Sequence, residues 1–274
     1  MRITVRTVVA KGERRGACGL LAETAGLSRL RIKDAMQKGA VWLVRRGGAK
    51  RLRRAKAVLQ PGEELALYYD DELLGRRPPA AECRHDLGRY SVWFKPAGLM
   101  TQGTRYGDHC SLLRQAEVFL RPERQAFLVH RLDREACGLV IIAHDRAAAG
   151  ALSRLFADRR MIKRYRAEIR GRVGLQGSSG RIDLPLDGRT AVTDYRVLSY
   201  DSTTDTSLVD IEMSTGRKHQ IRRHFSMAGF PVMGDPSYGK NNRNTEGLKL
   251  IAWGLEFTCP CSGRSMAFQL DRTP

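Results

Sequence analysis

The chain has 274 residues, of which 42% are hydrophobic and 28% charged, and 48 Lys and Arg stand against 29 Asp and Glu for a formal net charge of +19. This composition fits roughly two globular domains and excludes wholesale disorder. No apolar run approaches the ~18 residues that cross a bilayer, and the opening MRITVRTVVAKGERRG lacks a long apolar stretch, so neither a membrane helix nor a secretory leader is expected.

The charge is uneven: residues 1–60 hold 16 Lys and Arg but only 3 Asp and Glu. A handle of that sign calls for a polyanionic partner. Residues 17–70 read as a small unit. Ser28 is placed to cap the helix RLRIKDAMQKG, with Leu30, Ile32, Ala35 and Met36 near one face and Gly39 as its stop. Short strands VWLV and AVLQPGEELALYY follow, punctuated by Gly47-Gly48 and Pro61-Gly62. Between them Arg45 to Lys56 is dominated by cations of one sign, which suits phosphate neutralisation better than a merely solvated face. Residues 71–89, polar and containing Pro78-Pro79, read as a linker.

From Tyr90 onward YSVWF, FLVH, LVIIA and SLVDIEM predict strands. SLLRQAEVFL, RAAAGALSRLFADRR and HQIRRHFSMAG predict helices. Val209, Ile211 and Met213 alternate with Asp210 and Glu212, so one sheet face is buried. Strands and helices do not alternate regularly, which favours an α+β body over a doubly wound one. The six cysteines form no CxxC and no four-ligand zinc pattern, and are expected to be reduced thiols.

Four stretches carry chemistry. Lys95-Pro96-Ala97-Gly98 is a tight turn after a strand. His130-Arg131-Leu132-Asp133 sits between two apolar strands, either as a connecting loop with a local ion pair or as a polar cluster presented at a strand end. A kinase reading fails, because His, Arg and Asp are not contiguous and no Gly-rich nucleotide loop is present. In MIKRYRAEIRG, Tyr165 falls on the side opposite Arg164, Arg166, Glu168 and Arg170. In STGRKHQIRRHFSMAG, Ile221, Phe225 and Ala228 share a helical face and Arg222 stands beside it, able to reach a cleft. His219 and His224 are five apart, off the spacing of a helical metal pair, so no metal site is expected.

Two resemblances follow. AGLSRLRIKDAMQKGAVWLV with VLQPGEELAL resembles the S-four-type RNA-binding module, except that Arg-Arg-Gly-Gly replaces its usual Asn-Gly turn. KPAGL at 95–99, HRLD at 130–133 with Gly138-Leu139, Lys163 with Tyr165 and Ala167, TDYRVL at 193–198, STGRKHQIRRH at 214–224 and GDPSYG at 234–239 together resemble the RluA family of RNA pseudouridine synthases across residues 90–270. One departure is that Ala136-Cys137 stands where members carry Thr-Ser.

The resemblance implies an α+β catalytic body over 90–274 with a central mixed, mostly antiparallel sheet, joined by the 71–89 linker to a small RNA-binding module over 1–70. It implies that uridines in structured RNA, ribosomal RNA ahead of transfer RNA, are isomerised on a flipped-out nucleotide. Asp133 would be the nucleophile, Arg222 its ion-pair partner, and Tyr165 a ring stacked on uracil that helps remove the carbon-5 proton. Substrate contacts would come from His130, Arg131, Lys95 and Ile221, and from Arg45, Arg46, Lys50, Arg51, Arg53 and Arg54 of the basic stretch. No cofactor or metal is required, and a cytoplasmic monomer is expected. The alternative is a non-catalytic RNA-binding or ribosome-assembly factor that retains the fold.

Overall fold

The computed structural model describes residues 1–12, 14–239, 242 and 246–271, so the last three residues of the expected 90–274 body lie outside the described residues. The chain divides into two units. One comprises residues 1–78 and 102–118, the other 79–101 and 119–274.

The first unit begins with β1 (Arg2–Val8), β2 (Arg15–Gly16), α1 (Ala17–Ala25), α2 (Arg29–Gln37), β3 (Val41–Arg45), β4 (Gly48–Arg51), β5 (Val58–Leu59), β6 (Glu64–Asp70) and α3 (Asp71–Gly75). An antiparallel sheet in the order β1-β6-β3-β4 packs on a core containing Leu21, Ile32, Met36, Leu65 and Leu67. Ser28 caps α2 as its sequence position suggests, its hydroxyl accepting from Arg31 N at 3.3 Å. Ile32, Ala35 and Met36 are buried, but Leu30 is 77% exposed. It sits two residues before Ile32, and at 100° per residue that carries it off the buried stripe. Arg45 pairs with Gly48 across β3 and β4, leaving Arg46-Gly47 as a two-residue hairpin turn.

The expected linker 71–89 is largely built. Asp70 caps α3 by accepting from Leu73 N at 3.0 Å. Residues Glu82–Asp86 form β7, which joins the sheet of the second unit. Pro78-Pro79 marks the passage between the units instead. The first unit also contains the start of α4 (Leu112–Phe119).

The second unit continues with β8 (Tyr90–Lys95), β9 (Phe127–Leu128), β10 (Cys137–Ala143), α5 (Arg146–Ala157), β11 (Ile162–Arg170), β12 (Ser179–Asp183), β13 (Val192–Asp201), β14 (Thr206–Met213), α6 (Gln220–Met227), β15 (Leu250–Thr258) and β16 (Ser265–Gln269). Ten strands make one mixed, mostly antiparallel sheet in the order β12-β13-β14-β11-β15-β10-β8-β7, with β16 on β15 and β9 on β10. Among the described residues the only parallel pairing is β10 with β15. Val209, Ile211 and Met213 are buried as the alternation requires, and across β11 Tyr165, Ala167 and Ile169 turn inward. Arg166 on the opposite side of β11 pairs with Asp210 at 2.7 Å.

Two helices pack through spaced apolar faces. Asp145 caps α5, and Ala148, Leu152 and Leu155 bury against Leu139, Ile141 and Phe257. On α6, Ile221 and Phe225 are buried, with the Phe225 ring 5.2 Å from Tyr195 of β13. One glycine fixes where the two central strands meet. Gly138 has φ +126, and a Cβ there would lie 2.2 Å from the carbonyl oxygen of Ala252. Only glycine allows β10 to start beside β15 directly after the HRLD loop.

Candidate active site

The loop between β9 and β10 carries His130 to Asp133. Backbone-directed bonds hold it from residues 95–101. Thr101 Oγ1 donates to Leu132 O at 2.6 Å and accepts from Leu132 N at 3.1 Å. Gly98 N donates to Arg134 O at 2.7 Å. Lys95, at 0% exposure, donates to the carbonyls of Pro96, Leu99 and Arg134 at 3.0, 2.8 and 3.3 Å. Burial pushes its amine down to about 8. Lys95 is expected from the sequence among the substrate contacts, but it is absent from the lining of the cavity beside Asp133 and instead ties the 95–99 turn to the HRLD loop.

That cavity has a volume of about 600 Å³ and is lined by Asp133, Tyr165, Ile221, Arg222, His219 and Lys163, among others. Asp133 is 20% exposed, and its Oδ2 accepts from Arg222 Nη1 at 3.0 Å. Arg222 is 1% exposed. Its Nε and Nη2 both donate to Asp235, each at 2.8 Å, in a bidentate pair. Asp235 Oδ1 also accepts from Ser237 N at 2.8 Å and Tyr238 N at 3.1 Å. Burial alone would raise the Asp235 carboxyl, but the bonds from Arg222 and these amides hold it below the usual range. Arg222 is pushed up: burial works against its charge, and the hydrogen bonds to Asp235 and Asp133 outweigh it.

His219 approaches the nucleophile candidate from another side. Its Nε2 is 3.6 Å from Asp133 Oδ1, and its Nδ1 is 3.0 Å from the Tyr238 hydroxyl. Nε2 is thus the ring nitrogen that faces the carboxylate. His219 holds φ 54 at the head of α6, a left-handed conformation that costs a non-glycine residue about 1 kcal/mol or more. Burial lowers its pKa, with Asp133 working in the opposite direction.

Tyr165 is 9% exposed on β11, where a register shift relative to β15 falls between Arg164 and Tyr165. Bulges of this kind re-aim side chains at sites. Burial first, and Asp133 second, drive its phenol upward. The ring is therefore a neutral wall at physiological pH, and removal of a proton by Tyr165 as phenolate is disfavoured. Ile221 stands in the same lining. His130 is half-buried, stacks on Phe156 at 4.4 Å, and accepts from Ile141 N at 2.9 Å through Nε2. Burial, with Lys163 nearby, pushes its pKa down to about 3, so the ring is neutral. Arg131 is exposed at the cavity.

The basic stretch of the first unit divides. Arg46, Lys50 and Arg54 are exposed. Arg51 and Arg53 turn to Asp108 at 3.0 and 2.5 Å, and Arg51 also covers the Trp42 ring at 4.4 Å. Arg45 pairs with Glu63. Sequence reasoning assigns no role to Asp235, His219 or Tyr238. The available signal is GDPSY itself: Asp followed by Pro, then two amides able to bond its side chain, as in an Asx-type turn.

The fold and this carboxylate–guanidinium cleft define an RNA-modifying isomerase of the pseudouridine synthase class. The family model for RNA pseudouridylate synthase matches residues 89–227, and the chain belongs to that family, in its RluA branch. It is 28% identical over 277 residues to an uncharacterized RNA pseudouridine synthase of Aquifex aeolicus, covering 89% of this chain and 85% of that one. It is 32% identical over 195 residues to the dual-specificity RNA pseudouridine synthase RluA of Escherichia coli K12, covering 64% of this chain and 85% of that one. Human RNA pseudouridylate synthase domain-containing 1 shares the fold, with a TM-score of 0.59 and 24% identity over 72% of this chain and 86% of that one.

Proposed function

We propose that this RNA pseudouridine synthase uses Asp133 as nucleophile on a uridine extruded from ribosomal RNA. The observation that carries the reading is the Arg222 guanidinium, buried and shared between Asp235 and Asp133. A cation held in this way keeps the Asp133 carboxylate charged and aimed while leaving it part-exposed to a cavity.

The reaction breaks the bond from uracil N1 to ribose C1′ and forms one from C5 to C1′. The C5 proton leaves and N1 gains a proton, so the change is redox-neutral and needs no cofactor or metal. Asp133 supports cleavage of the first bond. Tyr165 and Ile221 hold the detached base flat while it turns. His219 steadies the second carboxylate oxygen. The neutral phenol of Tyr165 suits stacking and hydrogen-bond donation better than proton abstraction. Arg131, at the mouth, helps to keep the nucleotide out of its stack, which costs a few kcal/mol.

The first unit acts as the RNA handle, an S-four-type module whose exposed Arg46, Lys50 and Arg54 face phosphates. An appended module of this kind favours ribosomal over transfer RNA. The enzyme works as a cytoplasmic monomer. Mapping pseudouridines in total RNA from cells with and without the protein tests the substrate assignment. Loss of one or more ribosomal sites is expected. Losses confined to transfer RNA would reassign the substrate, and no loss at all would favour the non-catalytic assembly factor.

A further inference from the structure

The lining of the cavity continues past Tyr165. Lys163 lies two residues earlier on the same face of β11, ~6.6 Å along the strand at 3.3 Å per residue. Among the described residues its ammonium makes one long bond, to Thr215 O at 3.3 Å. Among the described residues no carboxylate pairs with it, and burial alone depresses its pKa, to about 8. An unpaired, desolvated cation destabilises a fold unless something else takes it up. Lys163 bonds to Thr215 O after β14, whereas Asp133 is held by Arg222 of α6, so the two charged groups of the lining have separate supports.

Arg159 borders the same cavity. It follows the C-cap of α5 with φ 57, and the next residue closes the helix end, Arg160 N donating to Leu155 O at 2.9 Å. Glycine is the usual residue at such a left-handed position, where an arginine side chain is strained. Two cations are thus retained at positions where the fold alone would favour other residues.

We propose that Lys163, with Arg159 at the mouth, forms a subsite for a backbone phosphodiester of the RNA next to the extruded uridine. The phosphate supplies the anion that Lys163 lacks. It anchors the flanking nucleotide while Asp133, further along the cavity, faces the target. The subsite rests on the reading of Asp133 as the reacting centre.

The test uses the full-length enzyme and RNA labelled with tritium at uracil carbon 5, prepared from cells lacking the protein. Lys163→Met should raise KM about tenfold, the loss of one charge-assisted hydrogen bond, with the smaller effect in kcat. Lys163→Arg should recover most of it. Melting temperature should stay level or rise in Lys163→Met and in Arg159→Gly, because each removes a feature unfavourable to the fold. In a short RNA carrying the mapped target, a neutral methylphosphonate at one flanking linkage should weaken the wild type about as much as Lys163→Met does, and the two changes together should cost no more than either alone. Unchanged KM, a loss in kcat alone, a lowered melting temperature in Lys163→Met, or indifference to every flanking methylphosphonate would overturn the subsite. Tritium release by the wild type with an unaltered Lys163→Met sinks the subsite only, whereas no release by the wild type sinks the reading of Asp133 itself.

Discussion

Arg222 reaches Asp133 with one nitrogen at 3.0 Å while its other two are committed to Asp235 at 2.8 Å. The pairing with Asp235 fixes the guanidinium plane, and the plane fixes where Asp133 is held. Arg222→Lys should therefore lose far more than a point charge. A lysine cannot fork, and a buried carboxylate is left short of partners, a loss of about 3–5 kcal/mol for breaking a buried pair. Calorimetric melting and steady-state kinetics should both fall.

Asp235→Asn separates aim from charge. It keeps the shape but removes the charge that orients Arg222. The expected result is a drop in kcat of about 10- to 100-fold with a small change in KM, since Asp235 orients Arg222, and Arg222 in turn holds Asp133.

His219 places Nε2 3.6 Å from the second oxygen of the carboxylate. His219→Ala should lower kcat roughly tenfold, an effect of about 1.4 kcal/mol. His219→Gln, which can place an amide N–H near the position of Nε2, should recover part of the loss.

His130 makes stability depend on pH. Its pKa falls to about 3 in the folded protein against an ordinary 6.5, because burial and Lys163 disfavour the charged ring. Between those values the unfolded chain holds the proton and the folded one does not. Stability conferred by neutral His130 is therefore full above pH 6.5 and is lost as pH falls toward 3, by at most about 1.4 kcal/mol per pH unit. Urea unfolding at stepped pH should show this slope, reduced in His130→Gln.

The exposed and paired arginines of the first unit should behave differently. Replacing Arg46, Lys50 and Arg54 with Gln should flatten the salt dependence of RNA binding by roughly 0.7–0.9 in log–log slope for each phosphate no longer neutralised, with little change in melting. Asp108→Asn should instead destabilise the unit, because Arg51 and Arg53 converge on that carboxylate.

Much of this is legible in the sequence. Alternation places Tyr165 inward, and ordered motifs anticipate the Asp133–Arg222 pairing across 89 residues. Lys95 is expected among the substrate contacts through the family motif, and only the three-dimensional closure of residues 95–101 on 132–134 supplies the carbonyls that bury it. Asp235 is overlooked for a related reason: its role is to occupy two donors of a residue 13 positions away, and no local pattern encodes that. Arg51 and Arg53 look identical to Arg46 and Arg54 in a basic run, and they differ only because Asp108 folds back to meet them.

The most direct measurement is tritium release from RNA labelled at uracil carbon 5, comparing wild type with Asp133→Asn at matched folded concentration. The wild type should release tritium, and the variant none above background. Substantial release by Asp133→Asn would contradict it, because the amide retains the shape of the side chain but not its nucleophilic charge.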